Sequence, residues 1–131
     1  MAKKDKIASA VFLTFSGNCK TALAFYQNCF GGTVRLETFE INLDGYIHSP
    51  IIAGSLFSDR VVIYGSDLVH DEGRTLGNYM AIFLACENAL ERKALLRKLV
   101  PGFEQLPLVQ HDDQKLIEVT DAFDVRWVLS L

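Results

Sequence analysis

With 131 residues the chain is long enough for one domain that buries roughly two-thirds of its unfolded surface without disulfide or metal staples. Hydrophobic residues at 50% and charged ones at 22% exclude a disordered chain, and a formal charge of −3 leaves no electrostatic footprint for nucleic acid. No apolar run reaches the roughly 18 residues of a bilayer span and no secretory leader is legible, so a cytoplasmic protein with no membrane partner is expected.

Residues 1–6, with Lys3, Lys4 and Lys6, read as a solvated tail to a single domain at 7–131. Ala8 to Phe15 is rich in Val, Phe and Leu and predicts a strand. After the polar turn Ser16-Gly17-Asn18, the Asn18 side chain is placed to cap a helix carrying Ala22, Phe25, Tyr26 and Cys29 at helical spacing, which Gly31-Gly32 ends. Three strands follow, Thr33 to Ile41, Ile51 to Phe57 and Arg60 to Ser66, the last two joined by a tight Ser58-Asp59 hairpin.

The order then returns. A polar linker at 67–78 leads to a strand over Tyr79 to Ala85 and a helix over Ala89 to Leu99, with Leu90, Ala94, Leu95 and Leu99 as its apolar stripe and Pro101-Gly102 as its stop. Gln105 to Gln110, Leu116 to Thr120 and Arg126 to Leu131 supply three more strands. A strand-helix-three-strand unit used twice, at about 8–66 and 79–131, makes this an α+β fold built from a duplicated module, and a cavity between the modules is where function is expected.

Cys19, Cys29 and Cys86 are odd in number and lack CxxC spacing, so neither a disulfide nor a zinc site is indicated. Cys29 and Cys86 sit in apolar runs as core thiols, while Cys19 stands at a helix start, where the helix dipole favours a thiolate. Loop histidines His48, His70 beside Asp71 and Glu72, and His111 beside Asp112 and Asp113 read as solvated turns, because adjacent loop side chains seldom converge on one ion. Asp67 and Asp121 each follow a strand and predict turn-closing carboxylates bonded to backbone N–H groups. Glu118 is expected to face away from Ile117 and Val119. Trp127 is expected opposite Val128, with its indole N–H in need of a partner.

FSGN followed by ALAFYQNCFGG, the hairpin ending in YGSD, and DAFDVRW near the C-terminus together resemble the PhnB-like branch of the vicinal oxygen chelate superfamily, which includes glyoxalases, extradiol dioxygenases and bleomycin-resistance proteins. The resemblance covers nearly the whole chain. It implies two βαβββ modules forming a curled, partly open mixed sheet around a central cavity, commonly in a homodimer. It also implies a divalent metal held by His and Glu side chains on the first and last strands of each module.

Aligned on the helix motif AFY, Val11 stands where the first His would be; Ala81, or Met80, takes the second, and Val128 the terminal Glu. The strand at Arg60 to Ser66 offers only Tyr64. Ala53 and Ser55 stand where relatives in this branch often carry His and Glu, and Asp124 where the loop usually has Gly. Aliphatic groups carry no lone pair, so no metal and no cofactor are expected at these positions. Period-two alternation from the same positions predicts a pocket of Val11, Leu13, Phe15, Tyr64, Ala81, Phe83 and Val128, suited to a small apolar or aromatic molecule. Many relatives carry a demethylubiquinone methyltransferase label, but this chain has no strand followed by a glycine-rich loop and helix of the kind that holds an adenosyl cofactor. Three readings stand: a metal-free, non-enzymatic binder or sequestering protein, a glyoxalase-like lyase or dioxygenase with a relocated metal site, and a non-catalytic dimeric interaction module.

Overall fold

The structure, a computed structural model, describes residues 9–38, 51–67, 76–103 and 114–131. The chain divides into two compact units, Met1–Arg74 and Thr75–Leu131. Several expectations lie outside the described residues: the tail at 1–6, the end of the strand expected over Thr33 to Ile41, the strand at Gln105 to Gln110, most of the linker, and all three histidines with their acidic neighbours.

In the first unit, β1 (Val11–Thr14) leads to α1 (Cys19–Phe30), then β2 (Thr33–Thr38), β3 (Ile51–Phe57) and β4 (Val62–Ser66). The strands form one sheet in the order β1-β4-β3-β2, with β1 parallel to β4 and the other pairs antiparallel. A helix between β1 and β2 permits the parallel pairing, which no tight hairpin could make. Helix α1 buries Cys19, Ala22, Leu23, Tyr26 and Cys29, while Phe25 and Phe30 are only half-buried.

The β3–β4 connection is longer than the expected two-residue turn. Ser58–Val61 forms a four-residue loop in which the Ser58 hydroxyl accepts from the amides of Arg60 and Val61 and donates to the Val61 carbonyl. Two glycines fix how closely the pieces approach. Gly32, at φ +95°, lies so near β3 that an added Cβ would sit 2.1 Å from the Phe57 carbonyl oxygen. At Gly54 a Cβ would meet the Leu23 side chain of α1 at 2.7 Å, which identifies the helix-covered side of the sheet.

In the second unit, β5 (Ile82–Leu84), α2 (Ala89–Leu99), β6 (Leu116–Thr120) and β7 (Arg126–Ser130) give a three-stranded sheet ordered β5-β7-β6. Here β5 runs parallel to β7, as β1 does to β4. The Asn88 side chain caps α2 by accepting from the Glu91 amide, and Glu91 in turn accepts from the Glu87 amide. The buried stripe of α2 is Arg92, Leu95, Leu96 and Leu99, not the expected set, since Leu90 is 80% exposed and Ala94 is exposed. Arg92 lies on this buried side and donates to the Gln114 carbonyl at 2.6 Å.

Among the described residues, no helix is long and apolar enough to cross a membrane.

Candidate ligand-binding faces

Residues paired across a ladder point to the same side, so the register assigns each strand residue to a face. In the first sheet Val11 pairs with Ile63 and Leu13 with Gly65, while Gly54 also pairs with Gly65. A Cβ on Gly65 would meet Cys19 Sγ and the Phe15 ring at 3.1 Å, so this is the side covered by α1. Val11, Leu13 and Phe15 therefore face the helix. Tyr64 pairs instead with Phe12 and lies on the opposite side, which corrects the expectation that these four residues share a face. A shift of one residue in a strand exchanges its faces, and β1 is apolar on both, so alternation alone could not fix its parity.

The helix-free face of the first sheet carries Phe12, Thr14, Tyr64, Val62, Ser55, Phe57, Thr33 and Arg35. Phe57 and Tyr64 meet edge to face, with ring centroids 5.8 Å apart. Exposure is graded across this side: Ser55 and Ser66 are buried, Tyr64 and Phe57 half-buried, and Phe12 is 62% exposed. Phe12 and Phe57 were absent from the sequence-based set. Thr14, the polar member of an otherwise apolar strand, was the available signal for which side β1 turns from the core.

In the second unit one face is sealed by Leu84, Ile117, Val119, Trp127 and Leu129. The other carries Phe83 in register with Val128, and Val128 in register with Glu118. Phe83 and Val128 thus share a face as expected, and Ala81, exposed just before β5, precedes Phe83 by two residues. Glu118 is on this side and exposed. Its carboxylate accepts from Arg126, through Nε at 3.0 Å and through Nη2, while Arg126 Nη1 donates to the carbonyls of Asn78 and Met80.

Two buried carboxylates hold the edges of these faces. Asp67 Oδ1 accepts from the amides of Gly17 and Cys19 at 3.0 and 2.9 Å, and Oδ2 from that of Ile51 at 2.9 Å. Asn18 makes no side-chain capping bond, so the expected local cap of α1 is replaced by a carboxylate from beyond β4. Asp121 Oδ1 accepts from the amides of Phe123 and Val125, and Oδ2 from the Trp127 indole at 2.8 Å. Within this turn Asp124 adopts φ 68°, a left-handed conformation that Asp tolerates better than most residues and glycine adopts without strain. Burial, and then the charge of Asp67, push the Cys19 thiol up to about 12, so the thiolate expected from the helix dipole does not form near neutral pH.

A metal ion held by these strands would need side chains with lone-pair donors. Val11, Ala81 and Val128 have none, and Phe12, the helix-free neighbour of Val11, has none either. Among the described residues no group of three or more His, Cys, Asp or Glu side chains converges to hold an ion.

No protein-family model matches the chain, and no curated protein does. Solved structures do. A crystal structure of protein PA1353 from Pseudomonas aeruginosa superposes with a TM-score of 0.73 at 22% identity, over 95% of this chain and 97% of that one. The PhnB protein of Bacillus cereus, named as a candidate 3-demethylubiquinone-9 3-methyltransferase, superposes at 0.71 with 21% identity, over 95% and 99% of the two chains. The α+β fold of this chain is that of the PhnB-like proteins.

Proposed function

We propose that this chain is a PhnB-like member of the vicinal oxygen chelate superfamily that binds or sequesters a small apolar or aromatic molecule without the family's metal. One observation carries the reading. On the faces turned from the buried core, the paired first-and-last-strand positions hold Phe12 with Tyr64 and Phe83 with Val128, three rings and an aliphatic group in place of charged side chains. Such surfaces favour apolar contact, and the hydroxyls of Tyr64 and Ser55 supply the few polar groups that orient a ligand.

Trp127, the single tryptophan, is fully buried one residue from Val128 and reports on the second unit. Titration with naphthalenemethanol and other aromatic alcohols is expected to change its fluorescence and raise the melting temperature. Silence from every compound would defeat the proposal. Methyl transfer is not part of it, because the chain has no glycine-rich loop for an adenosyl cofactor.

A second reading, a lyase or dioxygenase with a relocated metal, draws on Glu118, a carboxylate in register with Val128. Its engagement by Arg126 weighs against this role. Elemental analysis of purified protein, with activity after loading with Ni, Zn, Mn or Fe, separates the two readings. The binding proposal carries with it a homodimer in the cytoplasm, which sedimentation and cell fractionation test.

A further inference from the structure

One in-register row crosses all four strands of the first sheet: Phe12 on β1, Tyr64 on β4, Ser55 on β3 and Arg35 on β2. All four belong to the helix-free side, since the residues flanking Arg35, Val34 and Leu36, pair with Leu56 and Gly54 on the helix-covered side. Neighbouring strands lie about 4.8 Å apart, so Tyr64 and Arg35 stand about 10 Å apart across the sheet.

The two ends of the row differ in chemistry. At one end Phe12, Tyr64 and the Phe57 ring, which meets Tyr64 at 5.8 Å, form an aromatic corner. At the other, Ser55 offers a buried hydroxyl and Arg35 an exposed guanidinium, which presents paired donors matched to a carboxylate. A neutral aromatic ligand would use the first end alone.

We propose that this row takes an aromatic carboxylate, its ring in the Phe12, Phe57 and Tyr64 corner and its carboxylate hydrogen-bonded by Arg35 and Ser55. The inference rests on the binding role proposed above and names the ligand class of that same face. Glu37 stands on this side two residues beyond Arg35 and opposes the anion, so it sets a limit on affinity that substitution should lift.

Calorimetric titration of the full chain with naphthoate and with naphthalenemethanol, alike in ring and differing in charge, tests the assignment. The wild type should bind naphthoate about tenfold more tightly, as a charge-assisted pair gives, and the preference should shrink in high salt. Arg35→Gln should abolish the preference, weakening naphthoate far more than naphthalenemethanol. Arg35→Lys should keep part of the preference, Glu37→Gln should enlarge it, and Phe12→Ala should weaken both ligands. Arg35 is exposed on an edge strand, and circular dichroism should show each Arg35 variant folded. Equal affinity for the two ligands, or a preference that survives Arg35→Gln, overturns the row assignment while the binding role stands. If neither ligand binds the wild type, the binding role itself falls.

Discussion

Asp67 in the first unit and Asp121 in the second do the same chemistry over different distances. Each is a buried carboxylate receiving three N–H donors, but those of Asp67 come from Gly17, Cys19 and Ile51, while those of Asp121 come from Phe123, Val125 and Trp127, two to six residues onward. One carboxylate fastens the entry of α1 and the start of β3 to the end of β4. The other shapes one turn and anchors one indole. A strand-following Asp is legible in both places as a turn-closing group, but only the fold reveals that one of them is a long-range clamp.

That contrast predicts unequal losses on truncation. Asp67→Ala strands three buried donors on separate elements and should cost about 3 to 5 kcal/mol, whereas Asp121→Ala should cost about 2 to 3 kcal/mol, its effects concentrated in the β6–β7 turn. Urea denaturation gives the magnitudes, and amide exchange shows where protection is lost. Equal losses, or exchange in α1 unaffected by Asp67→Ala, would break the comparison.

Next in size is Gly32→Ala. A left-handed backbone costs an L-residue about 1 to 2 kcal/mol, and the collision with the Phe57 carbonyl adds to it, so a total on the order of 3 kcal/mol is expected. Gly31→Ala, also at positive φ but with open space around it, should lose only the conformational part.

Cys19, beside Asp67, gives the first unit a dependence on alkaline pH. Its thiol rises from the ordinary 9.0 to about 12 on folding, so between those values the unfolded chain ionises and the native one does not. Stability is therefore full below pH 9.0 and falls as pH climbs toward about 12. Cys19→Ala should flatten that slope in urea midpoints measured across the range, and an unchanged slope would remove Cys19 as its source.

The smallest effect belongs to the exposed pair in the second unit. Glu118→Gln should change stability by less than about 1 kcal/mol, and less still in high salt. Arg126→Ala should cost somewhat more, because it also frees the carbonyls of Asn78 and Met80.

Elements with a clear period or a local cap were legible in the sequence. Ala89–Leu99 emerged with its expected bounds, as did Ile51–Phe57 and Leu116–Thr120, and the Trp127 indole found a partner as its burial required. In the second unit the shared face of Phe83 and Val128 was legible from period-two alternation. In the first, every residue from Ala10 to Leu13 is apolar, and Thr14 alone marked Phe12 rather than Val11 as the residue turned from the core. The inward face of α2 includes Arg92, whose bond to Gln114 joins residues 22 apart.

The sequence alone determined the order of the described strands and helices and where the two helices stop, because these follow from local periodicity and from the glycines and proline that end a helix. The tertiary structure decided which side of β1 meets the helix, which acceptor caps α1, and that Phe12, Tyr64, Ser55 and Arg35 stand in one row. Those depend on register between strands far apart in the chain, and a displacement of one residue there turns every side chain over.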